Sequence, residues 1–258
     1  MKSSKNAIAE RRNDLIRILS RKENASVSEM TSELHVSEIT VRRDLNFLES
    51  KGIILRYFGG ARLLRNETDI LQFQDMDPVS LKKNIIAKYM AALISDNDTI
   101  FINSSSTAYM IYPYVTAKNV TYITNNAKSI LQKRSPDSTL ILTGGEVFAN
   151  KSSLTGAYAL DIIDKVTCTK CIIGVSGISM KGGITSSILP ETIINRAMIE
   201  HCKGPVYVLA DSSKIGIVHN FYSAPLSDIN YLVTDRDAEE ESLLQLRQAG
   251  LHIFIADN

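Results

Sequence analysis

Cysteine is scarce in this chain: Cys168, Cys171 and Cys202 are the three in 258 residues, too few for a disulfide framework. Cys168 and Cys171 form a C-x-x-C pair, yet a four-ligand zinc site needs a second paired spacing. Cys202 with His35, His201, His219 and His252 supplies none. Cys171 opens the apolar run CIIGV, where a buried free thiol is ordinary, so neither metal nor cofactor is expected. Nothing approaches the roughly 20 consecutive apolar residues of a membrane span. The N-terminus is polar and charged without a signal-peptide core, which predicts a cytoplasmic protein with no membrane partner. A strong net charge is missing too, the formal value being +1.

That small value hides an asymmetry. Residues 1–66 hold 13 Lys+Arg against 8 Asp+Glu, a net of +5, and the remaining 192 hold 16 against 20, a net of −4. A basic head on an acidic body is the pattern of a DNA-binding arm, and the length suits one small and one mid-sized domain. The head explains itself at Ser37–Gly52, SEITVRRDLNFLESKG. Ser37 is a good N-cap, and Val41, Leu45 and Leu48 recur at i, i+4 and i+7 as one buried stripe, with Ile39 a further apolar position. Thr40, Arg42, Arg43 and Asn46 fall off the stripe, with both arginines in the half that a recognition helix pushes into a major groove. A shorter helix over 29–34, capped by Ser28, and a tight corner at His35-Val36 precede it. A first helix is predicted over 7–22. After Gly52, IILRYFGGARLL reads as a β-wing turning at Gly59-Gly60, with Arg56 and Arg62 on its strands and Tyr57 and Phe58 in its core. The expected DNA contacts are therefore Ser37, Thr40, Arg42, Arg43 and Asn46 from the helix and Arg56 and Arg62 from the wing. Asp44 is expected to pair locally with an arginine or cap the fold rather than touch acidic DNA.

The domain reading is a winged helix-turn-helix over 1–63, a polar linker over 64–78 and an α/β domain over 79–258 that senses a ligand and oligomerises. Within the last, a helix over 79–94 leads to apolar strands at 99–102, 120–124, 139–143, 171–175, 206–210, 229–234 and 252–256. Helical stretches near 108–115, 127–133, 157–164, 191–201 and 238–248 alternate with them, which predicts a mostly parallel sheet covered on both faces. Such sheets bind ligands beyond the carboxyl ends of their strands. There stand Asn103, Ser105, Ser106 and Thr107 after the first strand, Asn125 after the second, Gly144 and Gly145 after the third, and Asp211 and Lys214 after the fifth; Glu191 opens a helix. Hydroxyls and backbone N–H groups entering a helix suit an anion, Lys214 suits a phosphate, and Asp211 or Asn103 suits sugar hydroxyls. Any one such loop is explained by the needs of turns; the whole set on one sheet edge favours a small polyol phosphate.

The motifs SEITVRRDLNFLESKGII…GGA, IFINSSST, TNNAKSI, LTGG, SLTGAYAL, GVSGISMKGGITS, ETIINRAMIE, LADSSKIG and INYLVTD, from about Arg11 to Asp235, resemble the DeoR family of bacterial transcriptional regulators. The resemblance implies a repressor of a carbohydrate operon that binds duplex operator DNA, with a sensor domain similar to sugar-phosphate isomerases and a phosphorylated sugar as effector. It also marks two departures. Family sensors carry an acidic residue and Gly-Thr-Thr where this chain has Asn103 and Ser105-Ser106-Thr107, and a lysine where Asn195 stands. If those two positions face each other, the exchanges cancel in charge. A homo-oligomer, dimer or tetramer, is expected because a lone winged helix contacts little DNA. The rival reading is a sugar-phosphate isomerase-like enzyme with an appended DNA-binding domain. Asp211, Glu146 or Glu191 would be its base and Lys214 its electrophile, and the missing charges at Asn103 and Asn195 weigh against it. A non-specific architectural DNA binder would leave the large domain without a role.

Overall fold

The computed structural model describes residues 2–22, 24–51, 53–57, 60–63, 78–148 and 152–257. The chain divides into two compact units, Met1–Leu81 and Lys82–Asn258. Helices α1 (Lys2–Lys22), α2 (Val27–Leu34) and α3 (Glu38–Ser50) build the first, with strands β1 (Asn24–Ser26), β2 (Ile54–Tyr57) and β3 (Gly60–Leu63). The strands form an antiparallel sheet in the order β1-β3-β2. Val41, Leu45 and Leu48 are buried with Leu15, Leu19 and Met30 in one apolar cluster, so the helical stripe read from spacing is the face that packs. The strand β1 had no signature in the sequence. Ser26, not Ser28, caps α2: its hydroxyl accepts from the Glu29 N–H at 3.2 Å while the Glu29 carboxylate accepts from the Ser26 N–H at 2.7 Å. That reciprocal box satisfies two donors at once, which a lone serine two residues later would not. Gly52, Phe58, Gly59 and the linker residues 64–77 lie outside the described residues, as do the side chains of Arg56, Tyr57 and Arg62.

The second unit holds a seven-stranded, wholly parallel sheet. Its strands are β4 (Thr99–Ile102), β5 (Thr121–Thr124), β6 (Thr139–Leu142), β9 (Lys170–Gly174), β12 (Val206–Leu209), β14 (Tyr231–Asp235) and β15 (His252–Ala256), one for each apolar run. The spatial order is β15-β14-β12-β9-β4-β5-β6. The chain starts at β4, builds outward through β5 to β6, then returns to the other side of β4 with β9. The order therefore reverses between β4 and β9, the switch point at which such sheets leave a crevice. Along each strand, residues alternate between two cores: Phe101, Ile123, Cys171 and Val208 face one cluster, and Ile100, Ile102, Tyr122, Ile172 and Leu209 the other. The helices α4 (Pro78–Ala91), α6 (Ala157–Asp164), α7 (Leu189–Glu200) and α8 (Glu240–Gln248) supply the covering apolar faces.

Two expected helices are reduced. The stretch 108–115 is a single α-turn, α5 (Ser106–Tyr109), followed by a 3₁₀ turn Tyr112–Tyr114 containing Pro113, whose ring removes an N–H that a longer helix would need. The stretch 127–133 is a 3₁₀ turn, Ala127–Leu131. Five short strands escaped the sequence reading. Strands β10 (Gly177–Ser179), β11 (Gly183–Ser186) and β13 (Phe221–Ala224) form an antiparallel sheet. Strands β7 (Glu146–Phe148) and β8 (Ser153–Thr155) form a hairpin. Glycine, serine and threonine dominate β10 and β11, so nothing in their composition announces a strand.

Candidate functional site

The first candidate surface is the outer face of α3. Ser37 caps the helix, accepting from the Thr40 N–H at 3.3 Å. Arg42, Arg43 and Asn46 are exposed there, with Thr40 half-buried beside them. Arg42 reaches back to Glu38 at 3.0 Å, an exposed i,i+4 pair of a kind that contributes about 0.3–0.5 kcal/mol and yields readily to a phosphate or a guanine edge. Arg43 has no ion pair among the described residues. Ile39 is 80% exposed on the same face, one turn before Arg42 and Arg43. Its offset from the 41/45/48 stripe is the sign in the sequence that this apolar residue points outward, where a thymine methyl is a natural partner.

Behind this face sits Asp44, only 1% exposed. Its carboxylate accepts from Arg11 Nε at 2.6 Å and Arg12 Nε at 2.9 Å, and the Arg12 guanidinium lies 3.5 Å from the Phe47 ring centroid. Helix α3 is thereby pinned to α1 by charge as well as by its apolar stripe. Asp44 pairs locally, as the sequence suggested.

The second candidate site is a cavity of about 450 Å³ at the carboxyl ends of β12, β9, β4 and β5, four neighbouring strands that span the switch point. Of the residues singled out in the sequence, Asn103, Ser105, Ser106, Thr107, Glu191, Asp211 and Lys214 line it together. Asn125, Gly144 and Gly145 do not. The Asn125 amide donates to Ser153 Oγ and the Leu154 carbonyl, both at 3.1 Å, and so ties β5 to the β7–β8 hairpin. Gly145 adopts φ +104°, and a Cβ there would stand 2.3 Å from the Thr155 carbonyl oxygen, so this glycine serves the hairpin's close approach. Lys83 from α4, Ser104, Asn126, Lys128, Gly174, Ser176, Ser186 and Asn195 line the cavity without having been expected. Lys128 sits two residues beyond Asn126 in the quoted TNNAKSI motif, which was its one visible sign.

Each loop is set by local bonds. Ser105 caps α5, accepting from the Ala108 N–H at 3.0 Å. Its hydroxyl occupies the space above Gly174: a Cβ on Gly174 would fall 1.7 Å from Ser105 Oγ, so only glycine lets β9 and the loop after β4 close up. Asp211, 1% exposed, caps the Ser212–Lys214 turn through the Ser213 N–H at 3.1 Å and the Ser213 hydroxyl. Ser212 donates its N–H to Asp235 at 2.6 Å and accepts from Lys82 Nζ at 2.7 Å. Lys82 also meets Asp237 at 2.8 Å, which raises the lysine's pKa and lowers that of Asp237, so that both charges are favoured. The start of α4 is thus fastened to the strand ends beside the cavity. Ser186 donates to Glu191 at 2.9 Å.

At the centre, Asn103 and Asn195 face each other, the Asn103 amide donating to Asn195 Oδ1 at 2.9 Å. The two departures from the family pattern are therefore one neutral pair in space. An amide stands opposite an amide.

The C-x-x-C motif does not converge on a metal, and among the described residues no three His, Cys, Asp or Glu side chains do. Cys168 instead lies across from Cys202 in an isolated bridge. The neighbouring Cys202 thiol, together with burial, pushes the Cys168 pKa up, while the Cys168 thiol holds the Cys202 pKa below its ordinary value. Among the described residues no helix is long and apolar enough to cross a membrane.

A helix-turn-helix unit joined to a parallel α/β unit with a cavity at its switch point is the build of a DNA-binding transcriptional regulator, and the matches to known proteins give that class. Residues 11–67 match the DeoR-like helix-turn-helix domain and 79–236 the DeoR C terminal sensor domain. The chain belongs to the DeoR family. It is 30% identical over 251 residues to the HTH-type transcriptional regulator GolR of Listeria innocua, covering 96% of this chain and 98% of that protein. It is 31% identical over 242 residues to the HTH-type transcriptional regulator IolR of Bacillus subtilis, covering 88% and 92%. The lactose phosphotransferase system repressor of Staphylococcus aureus is 28% identical over 241 residues, covering 90% and 94%.

Proposed function

We propose that this regulator represses a carbohydrate-metabolism operon in the cytoplasm and that a phosphorylated sugar in the cavity modulates its grip on the operator. One observation carries the ligand class. Lys83, Lys128 and Lys214 reach the cavity from three separate elements, and none has a carboxylate partner among the described residues. Unpaired cations converging on a polar cavity of this size fit an anion with hydroxyls attached. The names of relatives, among them the lactose phosphotransferase system repressor, agree with that class.

On the DNA side, Ile39, Thr40, Arg42, Arg43 and Asn46 read the major groove from α3, with Ser37 at its start, and Arg56 and Arg62 hold phosphates from the wing. Two copies joined through their α/β units present two such helices, since half-site spacing is a geometric demand. A monomeric mass at micromolar concentration, with and without operator, would end that part of the reading. The ligand must bind operator-competent and incompetent arrangements unequally. A typical coupling of about 1–3 kcal/mol shifts operator affinity roughly 5- to 150-fold. Helix α4 is the natural transmitter, for its Lys83 lines the cavity, Lys82 is clamped at the strand ends, and the boundary between the two units falls within it.

The test is a thermal-shift screen with sugar phosphates, repeated with Lys214→Ala. A ligand confined to the folded state adds about 2.7 kcal/mol of apparent stability at a hundredfold excess over its dissociation constant. A hit that Lys214→Ala weakens, and that changes operator affinity, is the expected result. A hit indifferent to Lys214 and to operator binding would overturn the proposal.

A further inference from the structure

The hydrogen-bond sense of the cavity's centre is fixed by the backbone. Asn103 is 4% exposed and uses its full bonding capacity inside the protein. Its Oδ1 accepts from the Gly174 N–H at 3.0 Å and the Ser105 N–H at 3.3 Å. Its Nδ2 donates to the Gly174 carbonyl at 2.8 Å and to Asn195 Oδ1 at 2.9 Å. A backbone N–H can only donate and a carbonyl can only accept, so Gly174 permits one orientation of the Asn103 amide. That orientation turns an N–H toward Asn195, and Asn195 must answer with its oxygen. Both N–H bonds of Asn195 Nδ2 are left over, and they have no partner among the described residues. Asn195 lines the cavity.

The sheet order says what lies around that donor. The strands β12, β9, β4 and β5 stand side by side, and at about 4.8 Å per strand the outer two are about 14 Å apart. Lys214 follows β12 and Lys128 follows β5, one at each flank. Between them, the ends of β9 and β4 give the cavity no charged side chain. Lys128 and Lys214 stand at the edges and the neutral donor of Asn195 stands between them, while Lys83 enters from α4 and the Glu191 carboxylate from α7, four residues before Asn195.

We infer that Asn195 is a specificity-determining residue that donates to an uncharged oxygen of the ligand, a hydroxyl or carbonyl, with Asn103 as the positioning residue that aims it. The inference rests on the phosphorylated-sugar reading for the anion at the flanks, but not for the oxygen at the centre. The donor selects for the body of the ligand, while the lysines select for its charge. Inorganic phosphate, which has charge and no body, needs the lysines alone.

The readout is the ratio of sugar-phosphate to inorganic-phosphate affinity, measured calorimetrically on the full chain. Ribose 5-phosphate, fructose 6-phosphate and glucose 6-phosphate are the probes, each beside its unphosphorylated sugar. Asn195→Ala removes the donor, and the ratio is expected to fall about tenfold, the worth of one net hydrogen bond. Asn195→Asp keeps the oxygen that Asn103 needs and so guards against loss of the fold. Its added charge weakens both phosphates alike, and the ratio again falls. An unchanged ratio in a folded variant overturns the inference. If the unaltered chain binds no phosphate at all, the phosphate reading fails, and the unphosphorylated sugars decide about Asn195. A sugar lost in Asn195→Ala then upholds its role; sugars bound equally by the variant, or not bound by the chain, overturn it.

Discussion

Both candidate sites rest on a buried polar side chain, but Asp44 and Asn103 serve in opposite ways. Asp44 stands behind the recognition helix and holds it through Arg11 and Arg12, while Arg42 and Arg43 point away and depend on nothing in the interior. The anchor and the residues proposed to read DNA are separate. In the cavity, Asn103 holds Asn195 directly, and Asn195 is at once part of the buried network and the group proposed to meet the ligand. Anchor and reader are one connected unit. The first arrangement lets the reading surface change without disturbing the fold; the second couples any change of ligand preference to stability.

Three single substitutions and one double variant press on that contrast, from the largest expected loss of stability to the smallest. Asn103→Asp would place a buried carboxylate against the Gly174 carbonyl and the oxygen of Asn195. An uncompensated buried charge costs about 3 kcal/mol or more, to be read as a lowered denaturant midpoint. Adding Asn195→Lys should recover much of that loss, and simple additivity of the two changes would show that the positions are not coupled. Asp44→Ala leaves Arg11 and Arg12 without their acceptor, but both are partly exposed and can turn to water. A loss of about 2 kcal/mol is expected in the unfolding of the N-terminal unit, with operator affinity falling as α3 loosens. Arg42→Ala should change stability by no more than about 0.5 kcal/mol. In operator titrations it should cost about 1–3 kcal/mol with relaxed preference at one base pair, or weaken all sequences alike if it holds a phosphate. A large stability loss from Arg42→Ala would erase the distinction between the two sites.

What could be read from the sequence follows the same line. The stripe of Val41, Leu45 and Leu48, the outward arginines and all seven parallel strands are local patterns, carried by periodicity and by apolar runs. The cavity lies at the carboxyl ends of the strands, and seven of the ten ligand residues expected from the sequence line it. Asn125, Gly144 and Gly145 lie outside that cavity, at a hairpin junction whose small and polar residues resemble in sequence those that hold a ligand. In the sequence, Asn195 stands out only as a departure from the family pattern. Its partner lies 92 positions away in the sequence, and no local signal says that a helix face will meet the end of the first parallel strand. The antiparallel strands β10 and β11 were invisible for a related reason, since their glycines and serines pair only once the sheet exists.

The paired amides have one more consequence, for acidity. Neither Asn103 nor Asn195 carries a proton that leaves or arrives between one pH and another. The middle of the cavity therefore keeps its donor in the same place through any acid or alkaline excursion that the fold survives. A carboxylate facing an ammonium would not have that indifference. Whatever pH dependence ligand binding shows must enter from the cavity's flanks or from the ligand itself.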